Sequence, residues 1–131
     1  MNNMKKLKVY IAGPMRGIEY YNFPAFDMAA EALSRLGVES INPAQMDRDA
    51  GFDSCALKPD HDWSSTPPDF DKEACIKRDI EGIMDSDAIL MLDGWWNSIG
   101  ALAEYRVAIW RGIHIFNNVE LVQDFIQKEV G

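Results

Sequence analysis

Four short apolar runs alternate along the chain with stretches of helical period, and this alternation limits the fold more than any other feature. The runs are Leu7 to Ala12, Val38 to Asn42, Ala88 to Leu92 and Ile113 to Phe116, and turn-forming residues close them: Gly13-Pro14, Pro43, Asp93-Gly94 and Asn117-Asn118. Between and after them lie Pro24 to Leu36, Lys72 to Asp85, a helix capped by Asn97 or Ser98 and ended by Gly112, and Val119 to Val130. Strand, helix, strand order of this kind produces parallel strands joined by right-handed crossovers, with helices on both faces of the sheet. The expectation is one α/β domain over residues 1–131, a Rossmann-like or flavodoxin-like three-layer fold with a four- to five-stranded parallel sheet. The natural strand order is 2-1-3-4. It places the ligand crevice beyond the carboxyl ends of strands 1 and 3, where strand order reverses.

At 131 residues and 47% hydrophobic composition, one core accounts for the whole chain. The formal charge of -8 disfavours a nucleic-acid polymer, whose affinity comes from cations neutralising phosphates. A small anion needs only a few local donors. No apolar run approaches a membrane span, and the start, Met1 to Lys6, lacks the long apolar region of a signal peptide, so the expected location is cytoplasmic. In that compartment Cys55 and Cys75 are expected as thiols. His61 and His114 fall in unrelated settings, no spacing suits a metal, and no cofactor is expected.

Two acidic residues stand out. Glu104 has Gly100, Ala101, Val107 and Ala108 at helical contact spacing, with no lysine or arginine there, which suits a carboxylate held against a packed surface. Asp79 interrupts the apolar stripe Ile76, Ile80, Ile83 and Met84, while Lys77, Arg78 and Glu81 take other faces. A solvated helix glutamate and a structural cap or ion pair are the plain alternatives for these two. The loop Gly13-Pro14-Met15-Arg16-Gly17 is bracketed by glycines and carries one cation, but it matches neither a Walker loop nor a dinucleotide fingerprint. A tight strand-to-helix turn explains it equally well.

From Ala44 to Pro68 the periodicity disappears. Phe52, Cys55, Leu57 and Trp63 offer apolar anchors, and the expectation is a partly ordered flap at about 44–70 over the crevice. Tyr20, Tyr21 and Phe23 are expected to pack as staples beneath such a lid. Asp69-Phe70-Asp71 supplies an acidic start to the following helix.

Paired carboxylates suit cleavage of a glycosidic bond through an oxocarbenium-like transition state. Val9 to Gly17 (Val-Tyr-Ile-Ala-Gly-Pro-Met-Arg-Gly), Arg78 to Ile83 (Arg-Asp-Ile-Glu-Gly-Ile) and Ser98 to Glu104 (Ser-Ile-Gly-Ala-Leu-Ala-Glu) together resemble the nucleoside 2-deoxyribosyltransferase-like superfamily, which includes the 2′-deoxynucleoside 5′-phosphate N-hydrolases. The resemblance implies that Glu104 is the nucleophile and that Asp79 holds the substrate and assists proton transfer to the base. It implies that Tyr10 orients the nucleophile and that Gly13, Pro14, Met15 and Arg16 embrace the ligand. Asp93, Ser98 and Gly100 then line the substrate site. Transferases of free nucleosides carry aspartate where this chain has Ser98, so Ser98 with Arg16 leans toward a 5′-phosphate at a helix N-terminus. The Gly94-Trp95-Trp96-Asn97 stretch and the acidic flap depart from both branches and leave the base undefined. The resemblance also implies a homo-oligomer, a small nucleoside or nucleotide as ligand, and water or a second base as acceptor. The alternative is a nucleotide-binding or regulatory module without catalysis.

Overall fold

The computed structural model describes residues 6–67 and 70–130, so Asp69 of the acidic helix start and Pro68 of the flap lie outside the described residues. The strands are β1 (Lys8–Ala12), β2 (Glu39–Ile41), β3 (Ala88–Met91) and β4 (His114–Phe116). The helices are α1 (Phe23–Arg35), α2 (Pro43–Asp49), α3 (Lys72–Met84), α4 (Ile99–Arg111) and α5 (Val119–Val130). All strand pairs are parallel and the order is β2-β1-β3-β4, so the sheet has four strands and reverses direction of growth between β1 and β3.

Alternate side chains of the inner strands build two separate cores. Val9 and Ile11 of β1 and Ala88 and Leu90 of β3 join Phe23, Phe26, Leu33 and Val122 beneath α1 and α5. Tyr10 and Ala12, with Ile89 and Met91, join Ile83 and Ala108 beneath α3 and α4. Both faces are therefore covered, which is why β1 and β3 read as continuous apolar runs.

Two expectations need correction. The aperiodic stretch opens with a true helix, α2, capped by the Asn42 side chain on the Ala44 N–H. Its buried residues are Pro43, Ala44 and Asp47, so a carboxylate occupies its inner face and hides the apolar period. Of the stripe expected on α3, only Ile83 is buried; Ile76, Ile80 and Met84 are 46%, 41% and 51% exposed. The side of α3 turned to the sheet is a narrow strip in which Gly82 and Ile83 are the buried members.

Gly82 is what lets α3 come close. A Cβ there would lie 3.0 Å from the Tyr10 ring and 3.1 Å from Ile41. Both neighbours are fixed by the sheet, so Gly82→Ala is expected to lower stability by about 1–3 kcal/mol. Chemical denaturation would show this, and an unchanged midpoint would contradict the close packing.

Candidate active site

Tyr10 sits fully buried on the α3/α4 side of the sheet because it has the parity of Ala12 rather than of Val9 and Ile11. Its hydroxyl donates a short hydrogen bond to Glu104 Oε2. Glu104 is partly buried on α4, between Ala101 and Ala108, which face the sheet at 1% and 0% exposure. Asp79 approaches from α3, one turn before Gly82. Its Oδ2 accepts from the Cys75 thiol at 3.6 Å, and the Tyr10 hydroxyl also favours its ionised form. Among the described residues neither Asp79 nor Glu104 forms an ion pair. Two helices and a central strand thus bring together Glu104, Asp79 and Tyr10, the three residues expected to carry the site.

Burial dominates the electrostatics. Desolvation, followed by the charge of Asp79, pushes Glu104 up to about 8 against the opposing Tyr10 hydrogen bond. Desolvation and the charge of Asp47 raise Asp79 to about 6, while the Cys75 and Tyr10 hydrogen bonds hold it down. Tyr10 is itself raised well above its ordinary value by burial and then by Glu104. Near neutrality the two carboxyls therefore hold about one proton between them, and their titrations are shared.

The loops after β1 and β3 meet at the reversal of strand order. A Cβ on Gly13 would lie 2.8 Å from the Leu92 side chain, and one on Gly94 would lie 3.4 Å from Pro14. Asn22 donates to the Pro14 carbonyl at 2.9 Å. Tyr20, Tyr21 and Asn22 all have positive φ, a costly conformation for residues other than glycine. The flap covers this turn. The Trp63 carbonyl accepts from Gly17 N–H at 2.7 Å, Tyr21 donates to the Ser65 carbonyl at 2.9 Å, and His61 and Trp63 pack edge-on against the Tyr21 ring. Since the one Tyr21 proton serves Ser65, His61 Nε2 is the donor in its 2.9 Å contact with the Tyr21 hydroxyl. Phe52, Leu57 and Trp63 are anchors as expected, but Cys55 is exposed; the buried neighbour is Ser54, bonded to the Tyr20 carbonyl at 2.5 Å.

The remaining expected ligand residues are spread around this centre. Gly13 and Pro14 are buried and Met15 partly so, whereas exposed Arg16 reaches Thr66 of the flap at 3.3 Å. Ser98 caps α4 through the Ala101 N–H at 3.2 Å, and Gly100 and Asp93 are exposed. A cleft of about 540 Å³ between α1, β2 and α2 is lined by Asp27, Ser40 and Gln45, and neither Asp79 nor Glu104 is among its lining residues. Arg48 already neutralises Asp27 there, at 2.6 and 2.9 Å. Sequence reasoning missed Asp47, Cys75 and Arg78 as neighbours of the pair. Arg78, expected on another face, reaches Asp47 at 3.4 Å. A charged residue inside α2 was the one available signal.

A family model described as a domain of unknown function (DUF4406) matches residues 7–117, from the start of β1 to the end of β4. The chain belongs to the DUF4406 family. Tyr10, Asp79 and Glu104 all fall within the matched DUF4406 span, as do the flap and both crevice loops. No curated protein matches the chain.

Proposed function

We propose that this DUF4406 protein cleaves the N-glycosidic bond of a 2′-deoxynucleotide or deoxynucleoside, with Glu104 as nucleophile and water or a second base as acceptor. The observation that carries the reading is the pair of carboxyls, neither ion-paired among the described residues, gathered at buried Tyr10. A glycosidic cleavage needs one carboxylate to attack and one carboxyl to give a proton, and a pair sharing a single proton meets that need. By burial and charge alone the proton favours Glu104. The Tyr10 hydrogen bond opposes this by stabilising the Glu104 anion, and a bound sugar developing positive charge at its anomeric carbon adds to that effect. The Glu104 carboxylate then forms a bond to C1′ as the C1′–N bond breaks, and the proton on Asp79 leaves with the base. Water or a second base next attacks C1′, Asp79 takes its proton, and Glu104 is released.

Arg16, the glycine loop and the N-terminus of α4 are assigned to the 5′ end of the sugar, with a monophosphate as the favoured group. The flap seals the site, and how fully it excludes water decides between hydrolysis and transfer. The direct test is release of free base from a panel of deoxynucleosides and their 5′-monophosphates, with and without an acceptor base. Release from monophosphates alone supports the phosphate assignment, while exchange among free nucleosides assigns a transferase. Binding without release from any compound supports a regulatory module instead.

We infer that the working unit is a homodimer. Ile76, Ile80 and Met84 of α3 and Leu102 and Ile109 of α4 lie exposed on the two packed helices that carry Asp79 and Glu104. A two-fold axis would place this face against its own copy, apolar on apolar. Ile80→Glu is expected to turn a dimer into a monomer in sedimentation velocity and to reduce turnover with it. A wild-type monomer at all concentrations would remove this inference.

A further inference from the structure

Cys75, Arg78 and Asp79 lie three and four residues apart on one side of α3, and α2 packs against that helix. Asp47 of α2 is only 8% exposed, and the Arg78 Nη2 at 3.4 Å is its one side-chain hydrogen-bond partner among the described residues. The Nε of the same guanidinium is buried without a partner. The main chain of Asp47 also holds the flap, since its carbonyl accepts from Phe52 N–H at 2.9 Å and from Ala50 N–H at 3.1 Å. Phe52 in turn packs against the Tyr21 and Phe23 rings, at 6.0 and 5.9 Å between centroids. One residue therefore joins the root of the flap to the helix that carries Asp79.

We propose that Asp47 is a positioning residue: it engages the Arg78 guanidinium, keeping that cation from neutralising Asp79, so that Asp79 can take the shared proton and pass it to the departing base. The chemical step belongs to the function proposed above; the electrostatic coupling does not depend on it. The groups facing Asp79 are Tyr10 from β1, Glu104 from α4, Asp47 from α2, and Cys75 and Arg78 from its own helix. Of these, Asp47 is the charge that raises Asp79 most after burial, and Arg78 opposes it. Asp47→Asn keeps the side-chain shape, removes the anion and frees the cation. Both changes favour ionised Asp79. Arg78→Gln leaves the anion unopposed and acts in the other direction.

The test is carboxyl carbon NMR titration of the full-length protein without substrate, with Asp79→Asn identifying the resonance. Asp47→Asn is expected to move the Asp79 midpoint to lower pH by at least about half a pH unit, and Arg78→Gln to move it to higher pH. Asp47→Glu should restore the wild-type value. A midpoint unmoved by either substitution in folded protein overturns the proposal, because a purely structural Asp47 would alter stability and leave the titration in place. Failure of the glycosidic reading shows separately, as absence of base release by the wild-type protein. If base is released, the alkaline limb of kcat must move with the Asp79 midpoint; a limb that stays put overturns the link to proton delivery.

Discussion

Glu104→Ala is expected to lower base release by at least about 10³-fold, the scale on which removing a covalent nucleophile acts. The loss should extend to every substrate, because without the carboxylate there is no covalent intermediate whatever the leaving group. Asp79→Asn should behave differently. A proton donor matters in proportion to the basicity of the leaving group, so a deoxyriboside with an activated, weakly basic aglycone should recover most of its rate in Asp79→Asn and little in Glu104→Ala. A small anion such as formate, added to Glu104→Ala, can occupy the vacated volume beside Ala101 and Ala108 and attack C1′ in its place. Near-wild-type turnover by Glu104→Ala would exclude the nucleophile role outright. Equal losses for all aglycones in both variants would instead deny Asp79 the role of acid.

The second large effect is on stability, and its sign follows from the proton balance. Glu104 titrates at about 8 in the folded chain against an ordinary 4.5, so between those values the folded state holds a proton that the unfolded state has lost. Stability must therefore fall as pH rises through this window and level off above it. The gap is equivalent to roughly 5 kcal/mol, with part of that cost shared with Asp79. Glu104→Gln keeps an acceptor for Tyr10 and cannot ionise. It is expected to match the wild type at pH 4 and to exceed its Tm at pH 9 by about 10 °C. Thermal unfolding at the two pH values checks this, and a constant difference would mean that the carboxyl is not strained by ionisation. Together the two Glu104 variants separate chemistry from fold: the residue proposed as nucleophile is also one that the fold is expected to be more stable without.

Glu104 was legible because small and apolar residues occupy every helical contact position around it, which a solvated glutamate does not require. The four strands were legible because each apolar run ends at turn-forming residues, and their order followed from the alternation of strand and helix. Asp47 was hidden by its own burial, since a carboxylate on the inner face of a seven-residue helix erases the period that would reveal the helix. Arg78 and Cys75 could not be placed without it. The outward stripe of α3 misled for the opposite reason. Ile76, Ile80 and Met84 have the regular spacing of a core face, yet the sheet-facing side includes Gly82, which has no side chain to show in a hydrophobic pattern. Ser98 is a third case: the hydroxyl that suits a phosphate also suits a helix cap, and in the fold it accepts from the Ala101 N–H as the cap of α4.

The division of β1 between two cores constrains how this family can vary in length. Val9 and Ile11 support one side of the sheet, while Tyr10 lies on the other, beside the Asp79 and Glu104 carboxyls. A single inserted or deleted residue in this strand would exchange the two sets and withdraw the phenol from Glu104 at the same moment that it emptied the hydrophobic layer. Insertions and deletions should therefore accumulate beyond Gly51, in the flap, and new substrate scope should be sought by exchanging flaps on an unchanged five-residue strand.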